Sequence, residues 1–260
     1  MLPRSIATAQ KVIQELLVQN PKDLDLEGII NFYDCYYQEK SMNGADGRIL
    51  FKGKSIVITI NSNIRYEPKK RFVTAHELGH LLLHKNTIPV FNCDESSFME
   101  WYQSGSFETQ ANEFAAEFLM PQQLFSQEAH KAVKFDFSVL ISLSHYFQTS
   151  VTSTVIRFVA AGTLPIAVVY SVDGVIKWQQ FSNTFVFKRF KTQRGTVVPK
   201  GTVVCDILGN KWNAQQKRLV LASSWFEVFK SQEGIYLYEE CFAINSQRGM
   251  ISLLWICEEY

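Results

Sequence analysis

RFVTAHELGHLLLH, residues 71–84, is an almost wholly apolar stretch that nevertheless carries three histidines and a glutamate. Pro68 stands just ahead of it, where a fixed φ suits the first turn of a helix and the missing N–H is not needed. Residues four apart on a helix differ by about 40° in azimuth and about 6 Å in rise, so His76 and His80 can bring their rings to one point. Glu77 lies about 100° round from His76, beside that point rather than on it. Phe72, Val73, Leu78, Leu81, Leu82 and Leu83 carry these polar groups into a core, and buried polar groups need partners. An ion held by His76 and His80, with Glu77 as general base for its water, satisfies that need.

A catalytic zinc of this type takes a third protein ligand and leaves one position for water. His84 continues the spacing of four, but on a continuous helix it stands about 12 Å in rise from His76, too far to share an ion. A capping role in the last turn suits it better. The third ligand is sought in FETQANEFAAEFLMP, residues 107–121, a helical run stopped by Pro121. On a helical wheel Ala111, Phe114, Ala115, Phe118 and Leu119 form the apolar arc, with Glu108 at its edge. Glu113 and Glu117 fall on the opposite side and are expected to face water. Asn112 is placed to hydrogen-bond a ligating histidine, and the small Ala111 and Ala115 allow close approach to the HExxH helix.

Together, RFVTAHELGHLLLH and the ETQANEFAAEFLMP that follows some 25 residues later resemble the ImmA/IrrE family of bacterial metallopeptidases. The preceding IVITINSN, residues 56–63, fits the same family, and the resemblance covers residues 1 to about 162. It implies a zincin-like, gluzincin-like fold, with His76, His80 and Glu108 (the Glu of an ExxAN motif) as metal ligands and Glu77 as the catalytic carboxylate. The implied ion is Zn2+, with Mn2+ or another divalent ion as alternatives. The implied substrate is a protein, typically a helix-turn-helix repressor of a stress-response or mobile-element operon.

The rest of the chain frames this site. Of 260 residues, 47% are hydrophobic, and 26 basic against 25 acidic residues leave a formal charge of +1. A disordered chain is thereby excluded, and so is a global field that would hold nucleic acid or anionic lipid. Cys35, Cys93, Cys205, Cys241 and Cys257 are scattered without a CxxC pair, which reads as reduced thiols in a cytoplasm. No signal peptide or membrane span is expected. An amphipathic helix is expected over residues 5–19, stopped at Asn20-Pro21, and a second one carries Leu26, Ile29, Ile30, Tyr33 and Tyr36. Residues 48–51 and 55–60 read as a hairpin around Lys52-Gly53-Lys54, and residues 84–107 as an irregular loop, with a flap as one use for it. Two more helical stretches after Pro121 run to about Gly162.

LSHYFQTSVTSTVIRF, residues 143–158, is similar to a helix-turn-helix pattern: Leu143 and Phe147 face inward, Ser150 caps the second helix, and Ile156 and Phe158 repack. Gln148-Thr149 replaces the usual Gly-Val at the turn, and Arg157 is the one cation of the second helix, so direct nucleic-acid binding is not expected. From Pro165 the runs AVVYSV, VIKWQQF, RLVLASSWFEVF, GIYLYEECFAI and MISLLWIC are β-rich. FKRFKTQR, residues 187–194, reads as the charged solvent face or protected edge of a strand, and Trp178, Trp212, Trp225 and Trp255 as anchors of the β module.

The expected architecture is therefore α+β: a zincin-like metallopeptidase domain over residues 1–130 with a small β-hairpin, a helix-turn-helix-like pair over 131–162, and a β-rich antiparallel module over 163–260, GAF-like or PAS-like and sensory. The expected activity is that of a zinc-type metallo-endopeptidase. The alternative from another class is a metal-stabilised regulatory protein that docks to a transcription factor or DNA. Tyr102 and His145 are candidates for an oxyanion helper by residue type only.

Overall fold

The computed structural model describes residues 2–53, 55–85, 87, 90–93, 107–162, 164–209, 216–244 and 249–256. They form a mixed α+β protein of two compact units, Met1–Gln127 with Ile141–Thr154, and Glu128–Leu140 with Val155–Tyr260.

In the first unit, strands β1 (Cys35–Lys40), β2 (Gly47–Lys52), β3 (Ser55–Asn61) and β4 (Val90–Cys93) make one sheet in the order β1-β3-β2-β4. Strands β2 and β3 form the expected antiparallel hairpin, with Lys52 opposite Ser55 and Gly53 at φ 61°; β4 runs antiparallel to β2, and β1 parallel to β3. The helices are α1 (Arg4–Glu15), α2 (Leu26–Phe32), α3 (Glu67–His84), α4 (Phe107–Leu119) and α5 (Gln122–Ala129). Helix α3 begins with Pro68 in its first turn, as its sequence requires. It is the inner helix of the unit: Val73, Ala75, Leu78, Leu81 and Leu83 join Ile49, Ile58 and Ile60 of the sheet and Phe114, Ala115 and Phe118 of α4 in one core. At Gly79 the two helices nearly touch. A Cβ there would stand 3.2 Å from the Ala111 Cα, 3.3 Å from the Ala111 carbonyl oxygen and 3.1 Å from the Phe114 ring.

Several local expectations change. Helix α1 ends at Glu15 because Leu17 adopts a left-handed backbone (φ 51°), which leaves that leucine 80% exposed. Helix α2 ends at Phe32, since Asp34 turns left-handed at φ 54°. Tyr36 then lies exposed on β1 instead of on a helical face. Three helices follow Pro121 instead of two: α5, α6 (Phe137–Phe147) and α7 (Val151–Ala161). Glu117 does not face water and Glu113 is half-buried, because α1 lies over that side of α4. Ser5 donates to Glu113, and Gln10 donates to Glu117 across 3.0 Å, leaving Glu117 only 2% exposed. A wheel shows which side of a helix is polar, whereas here the polar side is covered by a helix bearing matched donors.

The second unit carries an antiparallel sheet of β5 (Ile166–Val172), β6 (Val175–Phe181), β7 (Gln216–Leu221), β8 (Tyr236–Ile244) and β9 (Gly249–Ile256), ordered β6-β5-β9-β8-β7. Two short helices were not foreseen, α8 (Val203–Gly209) and α9 (Ala222–Trp225), so RLVLASSWFEVF is a strand followed by a helical turn. Buried Glu239 of β8 touches both: it accepts from the Val203 and Val204 N–H groups (2.8 and 3.2 Å) and from Trp225 Nε1 (3.2 Å). FKRFKTQR is irregular apart from one bridge between Phe190 and Phe226. Phe187 is buried and its four cations are exposed. Trp225 and Trp255 are buried, Trp178 is half-buried, and Trp212 lies outside the described residues, as do Cys257 and residues 94–106 of the expected loop. Among the described residues no helix is long and apolar enough to cross a membrane.

The contact at Gly79 generates a test. Gly79→Val should lower the stability of the first unit by about 1–3 kcal/mol in chemical denaturation, the usual scale of overpacking. An unchanged midpoint would mean that α3 and α4 can move apart freely.

Candidate metal centre

His76 and His80, one turn apart on α3, meet Glu108 of the first turn of α4. His76 Nε2 lies 3.2 Å from Glu108 Oε2, His80 Nε2 lies 3.4 Å from Glu108 Oε1, and the two Nε2 atoms are 3.0 Å apart. The sequence pattern points to these three residues, and the fold brings them together. Both rings are fully buried, and Glu108 keeps 30% of its side-chain exposure.

The outward nitrogens explain why two imidazoles can face each other so closely. His76 Nδ1 is 2.8 Å from Asn112 Oδ1, an oxygen that only accepts, so Nδ1 carries the proton of the neutral ring and Nε2 presents its lone pair. This is the contact expected of Asn112. His80 Nδ1 is 3.0 Å from His84 Nδ1, and His84 Nε2 is 3.3 Å from Gln110 Oε1. Gln110 accepts from His84, His84 therefore accepts from His80, and Nε2 of His80 is likewise left bare. His84 is thus no helix cap: it is buried in the last turn of α3 and orients its neighbour. The spacing of four that sets it apart from His76 also places it against His80, and could have suggested this contact.

Two lone pairs 3.0 Å apart repel unless a cation lies between them. The donor set also matches a divalent ion in type, since one atom each from His76, His80, Cys93 and Glu108 all lie within 4.8 Å of one another. Cys93, at the end of β4, was missed in the motif reading. No sequence spacing links it to α3, and only the strand register places its sulfur 3.6 Å from His80 Nε2.

The electrostatics follow from burial and from the rings. Burial lowers the His80 pKa to about 4, against the pull of Glu108, which keeps the ring neutral and able to ligate. Burial also raises Glu108, but its close contacts with the His76 and His80 rings outweigh this and hold the carboxyl well below the usual range. Glu77 is fully buried, and neither carboxyl oxygen has a hydrogen-bond partner among the described residues. Burial pushes it up to about 8, with the nearby Cys93 thiol opposing and the Glu108 charge adding to the shift. Gly47 of β2 makes room for it: a Cβ at that position would collide with Glu77 Oε1 and stand 2.8 Å from a Val73 methyl. His145 is exposed on α6 and outside the cluster, and Tyr102 lies outside the described residues.

A divalent ion titrated into the full chain is expected to bind one to one. Glu108→Ala should weaken it by an order of magnitude or more, and Asn112→Ala by ten- to a hundredfold, the usual cost of losing the group that orients a ligating histidine. Glu113→Ala should leave ion affinity nearly unchanged. Metal analysis after dialysis that reversed this ranking would overturn the donor assignment.

Comparison with known proteins places the site in a family. The model for the IrrE N-terminal-like domain of the M78 peptidases matches residues 34–158, a span that contains all four clustered donors and Glu77. Uncharacterized immunity region protein 2 of Bacillus phage phi105 is 30% identical over 121 residues, which are 46% of this chain and 71% of the phage protein. Metallopeptidase ImmA of Bacillus subtilis (strain 168) is 36% identical over 73 residues, 27% of this chain and 38% of that protein. A Mycobacterium tuberculosis transcriptional regulator shares the fold with a TM-score of 0.62, over 98% of this chain and 77% of its own, at 13% identity. Membership implies a divalent metal, which agrees with the donors found. The chain belongs to the ImmA/IrrE family of metallopeptidases.

Proposed function

We propose that this chain is a cytoplasmic zinc-type metallo-endopeptidase of zincin-like, gluzincin-like design that cuts a protein substrate, a helix-turn-helix repressor, at one site in stress-response or mobile-element regulation. His76, His80 and Glu108 would hold the ion, and Glu77 would be the catalytic carboxylate. The observation that carries the reading is Glu77: a fully buried carboxyl beside the donors, whose oxygens meet at most the Cys93 thiol among the described residues, is costly unless it serves a reacting group.

When bound, a divalent ion supplies Lewis-acid polarisation of the scissile carbonyl and an acidified water. Asn112, and His84 through Gln110, keep both imidazoles in the ligating tautomer throughout. Glu77 accepts a proton at its carboxylate and returns it to the leaving amine. Burial raises its pKa, which makes the carboxylate a stronger base than an exposed one. The missing side chain at Gly47 leaves the space that the Glu77 carboxyl occupies.

The remaining parts would serve regulation. Residues 1–130 would form the peptidase domain, residues 131–162 a helix-turn-helix-like pair, and residues 163–260 a GAF-like or PAS-like sensory module, a reading that rests on the single antiparallel sheet. In the pair, Gln148 takes the left-handed conformation (φ 54°) that a glycine would usually supply. Ser150 Oγ accepts from Ser153 N, and Thr149 hydrogen-bonds Thr154. Arg157 is buried, which argues for a structural use of the pair rather than phosphate contact.

Glu77→Gln keeps the shape of the side chain and removes the base. Metal content should stay the same while cleavage of a helix-turn-helix repressor encoded at the same locus falls at least about a hundredfold. His80→Ala should abolish both, and Gly47→Ala should slow cleavage without releasing metal. Retained cleavage in the Gln variant would refute the catalytic role. Derepression that survives Glu77→Gln, with no cleavage by the wild type, would establish the non-enzymatic docking protein instead.

A further inference from the structure

The fourth donor has no part in the mechanism just given. Cys93 is fully buried, with its sulfur 3.6 Å from His80 Nε2 and within 4.8 Å of the other donors, where a tetrahedral ion would otherwise carry water. Its position is built by the sheet. Cys93 is the last residue of β4 and pairs with Gly47 of β2, and its carbonyl accepts from Asp46 N–H at 2.8 Å. Asp46 in turn is held to Lys69 of α3 by a 2.9 Å ion pair. Charge counting agrees, because one thiolate and one carboxylate neutralise a divalent ion in a buried pocket where an uncompensated charge is costly.

We propose that Cys93 is a fourth metal ligand, so that the resting site is closed by two imidazoles, a carboxylate and a thiolate, and that the peptidase is latent until the Cys93 end of β4 moves away and water takes its place. Four protein ligands make a closed site, whereas catalysis needs one open position. The change is a ligand exchange without redox chemistry, and the moving part is small: β4 is a four-residue strand that, among the described residues, lies at the sheet edge and pairs with β2 alone. The inference rests on the metal site proposed above and adds the regulation of that site.

Cobalt(II) loaded into the full chain is the probe. The wild type should show a sulfur-to-cobalt charge-transfer band in the near ultraviolet together with the intense visible bands of a tetrahedral ion. Cys93→Ser and Cys93→Ala should lose the charge-transfer band while keeping one equivalent of cobalt, and Cys205→Ser should keep it. Acetohydroxamate, which needs an open position, should perturb the visible spectrum of Cys93→Ala at a concentration at least about tenfold lower than for the wild type. Alkylation of Cys93, located by peptide mass mapping, should slow at least about tenfold when the ion is bound. One equivalent of cobalt without the sulfur band, with hydroxamate binding equal in wild type and Cys93→Ala, would overturn the latch and leave the metal site standing. Failure of the wild type to hold stoichiometric cobalt would remove the metal site itself. Should Cys93→Ser fold poorly, metal-dependent protection of the wild-type thiol decides alone.

Discussion

The bare Nε2 atoms of His76 and His80 face each other across 3.0 Å with both rings fully buried, and much of the first unit is arranged around that confrontation. Each ring has its proton fixed on the far side, by Asn112 in one case and by His84 backed by Gln110 in the other. Rotating either imidazole to relieve the repulsion would break one of those hydrogen bonds inside a core, at a cost of roughly 1–3 kcal/mol for the group left unpaired. A cation between the rings removes the conflict without moving anything. The pocket is therefore organised in advance for a charge of one sign.

The supporting architecture follows from the need to bring α4 to α3. Glu108 reaches both rings because the helices cross at Gly79 and Ala111 with almost no side chain between them. On its outer side α4 is held by α1 through Ser5 and Gln10, and on its inner side by Phe114 and Phe118 in the core. The sheet contributes from the other direction, with Gly47 leaving space for Glu77 and Cys93 closing the cluster. Helix, helix and strand each supply part of the pocket, and side chains of the core hold them in place.

Much of this was legible in the sequence because it is local. The spacing of His76 and His80, the start of α3 at Pro68, the stop of α4 at Pro121, the β2–β3 hairpin and the Asn112 contact all depend on residues within a few turns of one another, or on one helix face meeting another. What escaped depends on distant pairings. The burial of Glu117 needs Gln10, more than a hundred positions away, and the place of Cys93 needs the register of an edge strand on β2. Helices α8 and α9 both touch Glu239, which lies on a strand later in the chain. Backbone reversals at Leu17 and Asp34 ended two helices early, because neither residue carries the glycine signature of a left-handed turn.

The pairing of β4 with β2 also encodes chemistry in a discrete way. Side chains along a strand alternate between faces, so Cys93 points into the cluster while Asn92 points out and accepts from Arg48 Nε at 2.6 Å. A slip of one residue would bring the amide of Asn92 inward and turn the thiol away, exchanging a soft sulfur for a hard, neutral oxygen. Strand register here acts as a selector of donor type, and the Asn92–Arg48 contact on the outer face belongs to the same sulfur setting.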